Sequence, residues 1–146
     1  MRRAARATVQ FLGALVGASG VAFAAYASHG TADQALAVPA AGILLAHAPV
    51  LLALSIMADR APRLIGLIAL GMTVGLALFA GDLAARIWLG NRLFQGAAPL
   101  GGGMIILSWL LLAVEALVSG LVGGRSALWR GKQSNQQGPQ RVSRIQ

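Results

Sequence analysis

Apolar and polar positions come in blocks along this chain. Four apolar runs, at about residues 8–28, 37–58, 64–89 and 98–124, are separated by short polar breaks. A helix needs about 20 mostly apolar residues to cross the hydrocarbon of a bilayer, and each run supplies that length. The pattern therefore predicts an all-α membrane protein, a four-transmembrane-helix bundle occupying residues 8–124. A basic segment, residues 1–7, precedes it, and a basic, disordered, solvated tail is expected at 125–146.

Composition supports lipid as the solvent. Hydrophobic residues make up 57% of the chain and charged residues 11%, with a mean hydropathy of +0.71. A water-soluble domain carries roughly a quarter charged residues, so this chain cannot cover a water-facing surface. There is no cysteine, which excludes disulfides, thiolate metal sites and thiol nucleophiles. Eleven Arg against one Lys, with abundant Ala and Gly, suggests a GC-rich bacterial genome.

The net charge of +8 is a matter of topology. Arg2, Arg3 and Arg6 precede the first span, Arg60 and Arg63 lie in the second break, and Arg125, Arg130, Lys132, Arg141 and Arg144 follow the fourth span. Only Arg86 and Arg92 fall on the other side. Cytoplasmic loops carry the excess of Lys and Arg, so both termini are expected in the cytoplasm. The same clustering beside apolar helices makes nucleic acid an unsuitable partner. Ala25-Tyr26-Ala27 has the small-x-small form of a signal-peptidase site, but the apolar run before it is longer than a signal core, so the first span is expected to stay.

Helices in lipid gain no hydrophobic drive toward one another, and small residues let them approach. Gly13/Gly17, Gly71/Gly75 and Gly120/Gly124 each place two glycines one turn apart, as docking faces that either close the monomer or build an oligomer. Pro39 is expected near the start of the second helix, where a missing N–H costs nothing. Pro49 is interior and should free the carbonyl of Leu45 and kink the helix, exposing an acceptor near His47.

Ionisable groups within spans are the candidate functional residues, because each costs about 2.5 to 3.5 kcal/mol to insert. Asp82 and Arg86, four apart, can pair on one helical face. Asp82 lies ~27 Å along the third helix, near the outer surface, which suits a structural ion pair. His47 lies ~12 Å past Pro39, deep in the bilayer, as a packing residue or a proton carrier. Glu115 is ~14 Å from the inner end of the fourth helix, placed to snorkel or to bind across the bundle. His29 and Asp33 are too few for a metal site. Pro99 followed by Gly101-Gly102-Gly103 opens the fourth helix, as a packing element or an anion-binding helix start.

Several of these residues form a recognisable set. Gly17-Ala18-Ser19-Gly20 through Ala27-Ser28-His29-Gly30, then His47-Ala48, Leu78-Phe79-Ala80-Gly81-Asp82-Leu83, Pro99-Leu100-Gly101-Gly102 and Ser108-Trp109 occur in order across four spans. The chain resembles, over about residues 10 to 122, the domain of unknown function 423 family, also called uncharacterised protein family 0382. The resemblance implies a bacterial inner-membrane, multi-pass, four-helix protein with its first span retained, and no assigned activity or cofactor. It points to His29, His47, Gly81, Asp82, Pro99, Gly101, Gly102 and Trp109 as family positions without roles. The chain departs from the family at Ala98, where Thr is usual, at Ser108, where Gly is usual, and at Pro49.

The expected function is that of a structural or accessory membrane component, partnered by the lipid bilayer and by itself or a larger membrane complex. The alternative is a small proton- or ion-coupled transporter or channel using His47 and Glu115. No nucleophile–base pair, P-loop or dinucleotide fingerprint favours an enzyme.

Overall fold

The computed structural model describes residues 2–29, 33–58 and 61–137, with side chains described as far as Leu121. It contains four helices: α1 Arg2–Ser28, α2 Gln34–Met57, α3 Pro62–Leu89 and α4 Ala97–Gln137. All four are long and apolar enough to cross a membrane, and no strand occurs among the described residues. The chain divides into two compact units, residues 1–110 and 111–146.

Local chemistry sets the helix ends. Pro62 starts α3, in the first turn where its missing N–H is no loss. Gly90, with φ of 70°, ends it in the left-handed conformation that stops helices. The boundaries correct the sequence reading at two places. α2 begins at Gln34 rather than 37, which puts Pro39 inside the helix and not at its start. α4 runs past 124 to Gln137, so the stretch 125–137 is helical, not a disordered tail. Between Pro99 and Pro139 no proline interrupts it, and a residue preceding proline is biased away from the helix. The polar turn at Asp59-Arg60 and residues 138–146 lie outside the described residues, and Gly124, though helical, lies beyond the residues whose surroundings are described.

In the first unit the helices alternate in direction. Gly13 faces Leu51 and Leu52, Gly17 faces Ala48, and Gly20 faces Leu45, an antiparallel register between α1 and α2. Gly71 faces Ser108, and Gly75 faces Gly101 and Ile105, an antiparallel register between α3 and α4. The expected glycine faces on α1 and α3 are thus helix contacts. Gly120, by contrast, has open space where a side chain would be. α2 is the central element, packed against both α1 and α3; Leu44, Leu51 and Leu54 are buried on it, as are Ile65, Ile68, Met72 and Leu76 on α3. It stays helical through Pro49. Apolar residues surround both helices on every side, as expected when the solvent is lipid.

Candidate functional site

His47 and Trp109 make a side-chain hydrogen bond between α2 and α4 in the first unit. His47 is buried on α2, and its Nδ1 donates to the carbonyl of Ile43, one turn earlier, at 2.7 Å. Trp109 on α4 donates its indole Nε1–H to His47 Nε2 at 3.0 Å. The two rings meet edge to face, with centroids 6.0 Å apart. An indole N–H only donates, so Nε2 must carry a lone pair and the ring's proton sits on Nδ1. Both nitrogens are therefore occupied. The acceptor is Ile43, and not the Leu45 carbonyl that Pro49 was expected to expose. A proton could reach Nε2 only if Trp109 moved away.

Replacing this pair should reveal a modest coupling. Hydrogen bonds between membrane helices average about 0.6 kcal/mol and reach about 1.7. A double-mutant cycle of His47→Leu and Trp109→Phe, read by reversible unfolding in detergent, is expected to return a coupling in that range. Strict additivity would show that the bond contributes nothing.

A second polar cluster closes the far end of α3. Asp82 is 1% exposed, and its Oδ2 accepts from Arg86 Nη2 at 2.6 Å, forming the expected pair. Its Oδ1 accepts the backbone N–H of Leu93 at 3.0 Å. That second bond was not legible in the sequence, because a backbone donor eleven residues away leaves no side-chain signature. Gly81 supports it, since a side chain there would press on Leu93 at 3.2 Å. The connection from Gly90 to Gly96 thus folds back over α3, with a left-handed glycine at each end. Asp82 acts as its clasp.

The glycines opening α4 serve contact. Gly101 lies against the backbone of Gly75 and Phe79, and Gly102 faces the Phe79 ring. Pro99 is in the first turn of the helix, and the amide of Leu100 bonds the Gly96 carbonyl. His29 follows α1 directly, its Nδ1 donating to Ala25 O at 2.6 Å. Asp33 accepts from the Tyr26 hydroxyl at 3.4 Å, and Gln34 reaches back to Ala27 O at 2.8 Å. No group of three His, Cys, Asp or Glu side chains gathers among the described residues. In the second unit Glu115 accepts the Ser119 hydroxyl at 2.6 Å, one turn along its own helix. The spacing of Glu115 and Ser119, four apart on one helix, makes this bond legible in the sequence.

No curated protein and no solved structure matches this chain. A family model described as "protein of unknown function (DUF423)" matches residues 22–102. The matched segment contains His47, Asp82 and Gly101, with their motifs in the order described above. That span is more than half of the chain: the protein, with its four membrane-length helices, belongs to the DUF423 family of proteins of unknown function.

Proposed function

We propose that this protein is a structural or accessory component of the bacterial inner membrane, with both termini in the cytoplasm and no catalytic role. One observation carries the reading: each ionisable group at membrane depth is bonded to a neighbour within its own unit. His47 is held by Ile43 and Trp109, Asp82 by Arg86 and Leu93, and Glu115 by Ser119. A conducting or coupling site needs groups that exchange partners with a substrate or with water. Here the polar side chains tie helices and loops, and the glycines are used where helices touch. The ten-to-two distribution of Lys and Arg supports the orientation.

The competing reading, a proton- or ion-coupled transporter using His47 and Glu115, makes a different prediction. In proteoliposomes carrying an imposed pH gradient, the chain is expected to dissipate it no faster than empty liposomes do. Flux above that background, abolished by His47→Ala or Glu115→Gln in protein that still folds, would overturn the accessory reading.

A further inference from the structure

The connection from α3 to α4 turns back along α3 instead of standing away from the bundle. Gly101 lies against the backbone of Gly75 and Phe79, and α4 begins at Ala97, ~6 Å before that crossing. α3 runs ~15 Å past Phe79 to Leu89, so it overshoots the start of α4 by ~9 Å. Leu93 comes back over that distance. Its amide reaches Asp82 Oδ1 at 3.0 Å, and its side chain lies beside Gly81. Gly90 and Gly96, both with positive φ, make the two reversals that this path requires.

The length of α3 gives the depth of the returning segment. Counted from Leu64, the first residue after Arg63, Asp82 lies ~27 Å along the helix, within a hydrocarbon core of about 30 Å. Leu89 lies ~10 Å further on, among headgroups. Trp88, exposed and in ring contact with Phe23 and Tyr26 of α1, marks that headgroup level. Leu93 therefore sits below the Trp88–Tyr26 level, at the edge of the hydrocarbon.

Side chains and backbone both suit that depth. Asn91 and Arg92, exposed at the turn, are polar. Leu93 and Phe94, on the returning limb, leave 50% and 47% of their surface open. In lipid a non-helical amide needs a protein partner, because no water is there to bond it. The Leu93 amide has the Asp82 carboxylate, Ala97 N–H has the Phe94 carbonyl at 3.2 Å, and Leu100 N–H has the Gly96 carbonyl at 2.9 Å. A carboxylate only 1% exposed is a costly holder for a loop that water already solvates. It is a fitting one for a loop that water does not reach.

We propose that residues 90–96 form a short re-entrant wedge in the membrane surface, with Leu93 and Phe94 among the upper acyl carbons of neighbouring phospholipids and Arg92 at their phosphates. Phospholipid, and not a protein, is the partner of this face. The face carries a cation at headgroup level and apolar side chains beneath it, the same order of polarity as one leaflet read from surface to core.

The chain contains no cysteine, so a single introduced one carries a nitroxide label at a chosen site. Phe94→Cys and Leu89→Cys are labelled in nanodiscs of palmitoyl-oleoyl phosphatidylethanolamine and phosphatidylglycerol. Their relaxation by oxygen and by a water-soluble nickel chelate reports depth. The label at Phe94→Cys is expected ~10 Å deeper than that at Leu89→Cys, although it comes later in a connection between spans. Oxygen should outweigh nickel there, as at the exposed apolar control Ile106→Cys on α4. A second readout needs no substitution: a phospholipid with a diazirine near the carbonyl end of one acyl chain should cross-link to Leu93 and Phe94 of the unaltered protein. A nickel-dominated label at Phe94→Cys, no deeper than Leu89→Cys, would place the loop in water and overturn the proposal. A label shielded from both reagents, or broadened by a second label, would place a protein partner or a second copy there and overturn it too. Absence of any cross-link within residues 90–96 has the same force.

Discussion

Gly101→Ala is expected to destabilise the protein by about 3 kcal/mol, although it adds a single methyl group. The new Cβ would lie 2.6 Å from the carbonyl oxygen of Gly75 and 2.6 Å from the amide nitrogen of Phe79. Both are backbone atoms, which cannot turn aside as a flexible side chain would. Overpacking costs about 1 to 3 kcal/mol when side chains can adjust, and a backbone clash belongs at the upper end. Relief requires α3 and α4 to separate, which removes the close contact along Gly71, Gly75 and Ile105 as well. Gly103 supplies the control two residues away. Its position faces open space, so Gly103→Ala should lie within about 0.5 kcal/mol of the parent. A modest gain is reasonable there, since Ala outranks Gly in a helix by about 0.8 to 1.0 kcal/mol in aqueous hosts. Reversible unfolding of both variants in one detergent, monitored by helical circular dichroism, checks the contrast. Equal stabilities would show that α3 and α4 do not cross at Gly75 and Gly101.

Asp82→Ala should cost nearly as much, for an electrostatic reason. The carboxylate is almost fully buried and accepts from Arg86 Nη2 and from the amide of Leu93, while Arg86 Nε is buried without a partner. Removing one partner of a buried pair costs about 3 to 5 kcal/mol, because the other charge is left uncompensated. Arg86 keeps 28% of its side chain exposed and can turn partly to water, so about 3 kcal/mol is the better figure. Asp82→Asn separates the two contributions, since the amide oxygen still accepts from Leu93 while the charge is gone. The more specific readout is local. With the clasp removed, the connection from Gly90 to Gly96 should loosen, and trypsin should cut after the exposed Arg92 faster than in the parent. Asn is expected to preserve most of the protection. Unchanged cleavage in the Ala variant would mean that Asp82 does not hold the loop.

These two residues illustrate what reading along the chain does and does not deliver. The Asp82–Arg86 pair was legible because helical geometry places residues four apart on one face. The bond to Leu93 was not, because it depends on how the loop returns over the helix end. Glycine pairs on α1 and α3 meet neighbouring helices, one of the two outcomes their spacing allows, while Gly120 has open space beside it and closes no such contact among the described residues. Spacing alone cannot tell them apart. Pro39 was misplaced because helix starts are set by the preceding loop, and an apolar run carries no mark of where its helix begins. His47 was identified as deep and polar, but its partner Trp109 lies 62 residues away on another helix.

By itself the sequence determined that there are four membrane-length helices, where their apolar stretches lie and which breaks carry the cations. These properties are sums over composition in a segment, and lipid selects them without regard to which way each helix is turned. Tertiary structure alone decided which faces meet, and so produced the His47–Trp109 bond and the Gly75–Gly101 crossing. Helices that are apolar on every side have no polar face to set their rotation, so packing is what orients them.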